Sequence, residues 1–366
     1  MIVTLVAFVI AGLPPGQDDD IKFSKTVVET RYVSEGVAVA DVDRDGKLDI
    51  MAGNVWYQAP DWTPHEIAPF VAVDRKTAWI NSFHNWAADL NGDGWTDQIV
   101  IGMPGEKAVW RENPKGVDKP WKEHLIWRSA WNESPLYVDL FGNGQMVLVM
   151  GYDDKKMAWF EPAEDPDAEW VCHDVSELNG AGSQRYSHGL GVGDITGDQR
   201  NEIITKDGYY VAPENPRSEL WKFVPADLGA DCAHMYAFDG GVLSTSAHAR
   251  GVWWYERLPG GGFKKRTIDE TVSVTHSVIL VELEGSLNLI TGKRKWGHPP
   301  GVDVGSEEPH WLMRYELQGD KWVRHLIDED SGVGTQFAVL DVTGDGLSDI
   351  VTSNKNGVFL FVQVRA

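Results

Sequence analysis

Residues 82–100 read SFHNWAADLNGDGWTDQIV. The second half spaces Asp89, Asn91, Asp93 and Asp97 around Gly94, and oxygen donors at alternate positions of a tight turn suit Ca2+. The loop recurs as DVDRDGKLD from Asp41 and DVTGDGLSD from Asp341. Reduced forms are DLFGNGQMV from Asp139, DITGDQRNE from Asp194, DGG from Asp239 and ELEG from Glu282. Successive loop acids lie 48, 50, 55, 45, 43 and 59 residues apart, so seven units account for nearly the whole chain. A period of this length signals a repeat array.

Each unit carries further signals. An alternating strand follows the loop (LDIMAG, DQIVIG, MVLVMG, NEIITK, DIVTSN), then an aromatic strand (VWYQAP, AVWREN, MAWFEP, GVWWYE), then an outer segment such as WTPHEIA, WKEHLIW, WVCHDVS or WVRHLID. Together with the strand that enters the loop, this makes four short strands per unit. Six units have an outer segment of their own, and the N-terminal IKFSKTVVE supplies the seventh. Such a seam removes the free edge of a closed ring. The expected fold is therefore all-β: one seven-bladed β-propeller of four-stranded blades over residues 21–366, with the N-terminal strand closing the last blade.

The loops and their flanking strands resemble the FG-GAP or VCBS repeats of integrin α-subunits and of many secreted bacterial proteins. The resemblance is specific for fold and says little about function. Four loops are expected to hold structural calcium: Asp41, Asp43, Asp45 and Asp49; Asp89, Asn91, Asp93 and Asp97; Asp341, Thr343, Asp345 and Asp349; and, with Gln199 in the glycine position, Asp194, Asp198 and Glu202. An EF-hand is excluded, because its loop needs a glutamate at position twelve, where Ala52, Val100 and Thr352 stand here.

The formal charge of −22 argues against nucleic acid or an anionic membrane surface as partner, since both need a basic footprint. Residues 1–20 combine an apolar run with a Pro/Gly/Gln break and are expected to be a secretory leader, which implies an extracytoplasmic location, although no basic residue precedes the run. No later stretch approaches the roughly 20 apolar residues of a membrane span. The two cysteines, Cys172 and Cys232, fall in differently placed segments of their repeats, which gives no basis for pairing them.

The eleven histidines divide into groups. His65, His124, His173 and His325 share one place in the outer segment and are read as blade packing. Five or six residues before the loop acids stand Gly36, His84, Ser134, His188, His234, His276 and Gln336, where the chain enters the first strand of each blade. If the carboxylate loop joins strands one and two on one face, this point and the turn after strand two both lie on the other face. Those turns carry Lys206, His248, Lys293, Arg294 and His298. One channel mouth is thus expected to collect imidazole and cationic groups, as suits a carbohydrate or anionic ligand.

Imidazoles from several blades can close a transition-metal site for Zn2+ or Mn2+. The expected machinery is His84, His188, His234, His276, His248 and Lys206, with a free His, Lys or Tyr as candidate base, Tyr186 and Tyr236 standing next to ring histidines, and Lys293 and Arg294 as oxyanion partners. Trp86, Trp131 and Trp296 are candidates to stack on a sugar ring. The run of segments FHNWAADLNGDG, YSHGLGVGDITGD, CAHM, STSAHARGVWWYE, THS and TGKRKWGH is similar to that of a group of secreted bacterial propellers, and in architecture to the propeller domain of aldos-2-ulose dehydratase. That resemblance implies water elimination from a keto-sugar; the chain has no room for the cupin domains that accompany that enzyme's propeller. The alternative is a non-catalytic propeller that binds glycan or protein. The sequence leaves the oligomeric state open.

Overall fold

The computed structural model describes residues 21–365 except 154, 230 and 231, and of residue 232 the backbone alone. The expected leader lies outside the described residues. Seven four-stranded antiparallel sheets form a ring, and no helix occurs among the described residues. Blades 1 to 6 span residues 38–66, 84–127, 136–174, 190–225, 232–273 and 278–328, each with its strands paired in chain order. Blade 7 takes three strands from residues 337–364 and its fourth from Lys22–Glu29, which pairs antiparallel with Gly357–Val364. Chain start and chain end are therefore stitched by backbone hydrogen bonds, and the ring closes without an open edge.

Alternation explains how the blades stack. Successive residues of a strand face opposite sides of the sheet, so each blade offers an apolar face to both neighbours. Apolar clusters accordingly lie between blades. Ile99 and Trp110 of blade 2 meet Leu148 and Phe160 of blade 3, and Val351 and Leu360 of blade 7 meet Ile50 and Tyr57 of blade 1. First strands of successive blades pack against each other around the axis.

Three of the four outer-segment histidines stack on tryptophans, and the fourth, His325, places Nε2 3.3 Å from Glu316. His65, His124 and His173 stack on Trp56, Trp110 and Trp159 with ring centroids 4.3, 3.9 and 4.1 Å apart. His124 and His173 also place Nε2 at 3.0 and 2.9 Å from Glu112 and Glu161. Cys172, beside this rim, is a free thiol.

The last acid of each full loop has a structural role. Asp97 is buried, and its two oxygens accept the amides of Leu90 and Asn113, both at close range (2.9 and 2.8 Å). Asp49 does the same for Val42 and Ala59, and Asp349 for Val342 and Gln363. This carboxylate ties the loop to the far end of the third strand. Asp97→Ala would leave two buried amides unpaired, and we expect a loss of about 2–4 kcal/mol in urea melts, with or without calcium. A loss confined to calcium-loaded protein would show that metal ligation is its only role.

Candidate metal centre at the channel mouth

Each carboxylate loop joins the first and second strands of its blade, so the points where chains enter first strands gather at the opposite mouth. There Glu133, His188, His248 and His276, from the approaches to blades 3, 4 and 6 and the turn after the second strand of blade 5, each bring one ligand atom within 4.8 Å of the others. His188 Nε2 lies 2.7 Å from Glu133 Oε2 and 3.3 Å from His248 Nε2. His276 Nε2 is 4.0 Å from the same carboxylate oxygen and has no hydrogen-bond partner. Three imidazoles and a carboxylate converging from separate blades form a donor set suited to a first-row divalent ion.

The electrostatics suit a cation. Burial holds the His276 imidazole well below its ordinary value, and Arg294, His248 and His188 add to the effect, so it stays a neutral donor. Burial alone would raise the Glu133 carboxyl, but the hydrogen bond to His188 and the Arg294 charge bring it to about 2. Glu133 is thus an anion at any working pH.

A further carboxylate stands behind His248. Asp303 Oδ1 is 3.2 Å from His248 Nδ1 and 2.7 Å from His298 Nδ1, and its Oδ2 accepts the His298 amide at 2.9 Å. Burial would raise Asp303, yet these hydrogen bonds hold it below the usual carboxylate range. With Nδ1 of His248 committed to Asp303, Nε2 is the atom turned to the cluster. Asp303→Asn is expected to weaken metal affinity by about 10–100-fold; unchanged affinity in a competitive chelator titration would remove Asp303 from this role.

Below the mouth Arg294, 1% exposed, places Nε 3.0 Å from Glu35 Oε2 and Nη1 3.8 Å from Glu133. Glu35 also accepts the Tyr32 hydroxyl at 2.7 Å. His84 and His234 sit deeper, with ring centroids 5.7 Å apart. Burial depresses both, His234 to about 4 with His188 contributing, and His84 well below its ordinary value with His234 and Arg294 contributing.

The structure therefore brings His188, His248 and His276 together and sets His84 and His234 beneath them. Arg294 lies beside the cluster, whereas Lys293 is directed to Ser273 Oγ at 2.9 Å, Gly305 O and Glu308, and Lys206 pairs with Asp207 at 2.9 Å. Tyr186 is exposed two residues before His188. Trp86 stacks on His84 and packs with the apolar cluster between blades 2 and 3. Sequence reasoning missed Glu133, Glu35 and Asp303. Glu133 and Glu35 stand beside the equivalent repeat positions Ser134 and Gly36, neither of which carries a histidine, and Asp303 lies in the turn between the second and third strands of blade 6, with no repeat counterpart.

In the first carboxylate loop, Asp41, Asp43 and Asp49 bring ligand atoms within 4.8 Å of one another, and Asp41 Oδ1 is buried without a hydrogen-bond partner. Burial first, then the charges of Asp43 and Asp45, pushes Asp49 up to about 6. Both observations fit a hard cation there. The loops from Asp89, Asp194 and Asp341 show no such three-carboxylate convergence among the described residues; Asp89, for example, accepts the amides of Asp93 and Gly94.

Fold and site define a seven-bladed propeller with a histidine-rich centre at one channel mouth. No family model matches the chain, and no curated protein sequence is similar to it. Among solved structures, the chain is similar to BBS1N in complex with ARL6DN, at TM-score 0.54 and 12% identity over 94% of this chain and 97% of that one. It is also similar to an Agrocybe aegerita lectin that recognises non-reducing terminal N-acetylglucosamine, at TM-score 0.50 and 16% identity over 93% and 87%. At such identities the likeness shows the fold alone.

Proposed function

We propose that the protein is an extracytoplasmic, carbohydrate-active propeller whose channel mouth holds one transition ion, Zn2+ or Mn2+, on Glu133, His188, His248 and His276. In this reading it is a carbon–oxygen lyase that removes an α-proton from a keto-sugar or uronate and expels a β-oxygen. The observation that carries the proposal is the convergence of those four ligand atoms. When bound, such an ion supplies Lewis acidity to a substrate carbonyl. Glu133 contributes the fixed negative charge, and His276 a donor that needs no deprotonation to ligate. Asp303 fixes the ring of His248, and Arg294 holds the Glu133 side of the cluster in place. Half-exposed His298, tied through Nδ1 to Asp303, is the proton acceptor in this reading. Structural calcium belongs to the same proposal, with Asp41, Asp43 and Asp49 as its best-supported site.

A second reading is a non-catalytic propeller that binds glycan or protein. It is favoured by the similar folds, one of which recognises N-acetylglucosamine and another of which is in complex with ARL6DN. One experiment separates the two. Protein freed of calcium by mild chelation is analysed for retained transition metal and then incubated with keto-sugars and uronates while the ultraviolet absorbance of unsaturated products is followed. Retained metal with product formation supports the lyase. Absence of both, with retention on a glycan array, supports the binding module.

A further inference from the structure

Bulky residues with strained backbone recur beside the histidines of the mouth. Four aromatic or β-branched residues among those described have left-handed backbone: Trp62 (φ 56°), Tyr186 (φ 64°), Val274 (φ 56°) and Trp296 (φ 50°). Their side chains make this conformation unfavourable, and it persists only where the surroundings impose it. Trp62 is part of the packing between blades 7 and 1. The other three each stand two residues before a histidine of the mouth: Tyr186 before His188, Val274 before His276 and Trp296 before His298.

Val274 is buried and its strain is explained locally. Its amide donates to Ala249 O at 3.1 Å and its carbonyl accepts the Arg294 amide at 2.7 Å, which ties three segments of the mouth together. The backbone of Tyr186 is held in the same way, but its side chain is not buried with it. Its amide donates to Trp131 O at 2.9 Å, but the ring is 45% exposed. The Arg185 guanidinium lies 5.1 Å from the ring centroid, and Arg185 is itself anchored to Pro104 O at 2.8 Å. An anchored cation thus supports a strained, solvent-facing aromatic ring two residues from a ligand of the cluster. A glycine or asparagine would meet the backbone requirement more easily. A side chain retained against its own backbone preference, and against burial, points to contact with a ligand.

We infer that Tyr186 is a stacking platform for a pyranose ring at the channel mouth. The apolar C–H face of a pyranose matches the face of a rigid aromatic ring, while the hydroxyl edge is left for the polar groups of the cluster. This rests on the reading of the mouth as a carbohydrate site, but it assigns Tyr186 a role in holding substrate rather than in proton transfer.

The test compares Tyr186→Asn and Tyr186→Phe with the zinc-loaded parent protein. Binding of methyl β-D-glucopyranoside, methyl β-D-galactopyranoside and methyl β-D-xylopyranoside is followed by saturation-transfer NMR, with acyclic erythritol as comparator. Tyr186→Asn is expected to raise Tm by about 1–3 °C, because asparagine tolerates the left-handed backbone. It is also expected to weaken pyranose binding by about tenfold. Tyr186→Phe keeps the ring and should restore binding to within about threefold of the parent. Opposite signs in stability and binding would not arise from a merely structural tyrosine. Unchanged binding in Tyr186→Asn, a lowered Tm in that variant, or loss of binding in Tyr186→Phe would each overturn the inference. So would the absence of any pyranose signal in the parent protein while its zinc is retained, a result that leaves the metal centre standing.

Discussion

After calcium is removed by mild chelation, the protein is expected to retain about one equivalent of zinc or manganese per chain, and His188→Ala to lose it. His188 is the hinge of the cluster, since its Nε2 is in contact with both Glu133 and His248. Without it three donors remain, a carboxylate, a buried imidazole and the Asp303-held imidazole, and the ring that links Glu133 to His248 is gone. Turnover, where it is observed, should fall by about a thousandfold or more, because the Lewis acid is gone. Stability should barely change: His188 is only partly buried and lies outside the apolar clusters between blades, so a Tm shift of no more than about 3 °C is expected. His84→Ala is the control, because His84 lies under the cluster and supplies none of its four ligand atoms. Elemental analysis that finds equal metal in wild type and His188→Ala would place the ion elsewhere. Loss of metal together with a large fall in Tm would recast His188 as a core residue.

Arg294→Met is expected to destabilise the fold by about 3–5 kcal/mol in urea melts. Arg294 and Glu35 are 1% and 0% exposed, and they face each other at 3.0 Å. Removing the guanidinium strands Glu35 as an uncompensated buried charge and takes a positive group from beside Glu133. Methionine fills part of the space but solvates nothing. The double variant Arg294→Met/Glu35→Leu removes both charges and should recover most of the loss, since an apolar pair often matches a buried ion pair in stability. A single-variant loss under about 1 kcal/mol would show that water reaches Glu35 and that the pair is not buried in solution.

How much of the site was legible depended on whether a residue obeyed the repeat. His188 and His276 were visible because they occupy one position in blades 4 and 6, and repetition separates a shared centre from a single core histidine. The same logic also admitted His84 and His234, which meet the positional rule but sit deeper along the axis. Sequence spacing fixes which blade a residue belongs to, whereas depth along the channel depends on where each first strand begins: His84 opens its strand, while His188 and His276 precede theirs by two residues. Lys293 and Arg294 show a second limit. They are neighbours in sequence, yet one is drawn to Ser273, Gly305 and Glu308 and the other toward Glu35 and Glu133. Both lie just past the end of the second strand, Ser286–Gly292, where no strand alternation sets the direction of a side chain and the sequence does not say which one faces the axis.

The sequence by itself determined the architecture: seven repeats of loop, alternating strand, aromatic strand and outer segment, with the missing seventh outer strand supplied by Lys22–Glu29. Periodic burial is a local property, so it is written locally. Only the tertiary structure decided the membership of the cluster. Glu133 lies on the approach to blade 3, beside a repeat position that holds serine, Asp303 lies in the long turn between the second and third strands of blade 6, and His248 is turned by a carboxylate 55 residues away in sequence. A centre built from four separate blades exists only once the ring has closed, because closure is what brings those distant segments to a common axis.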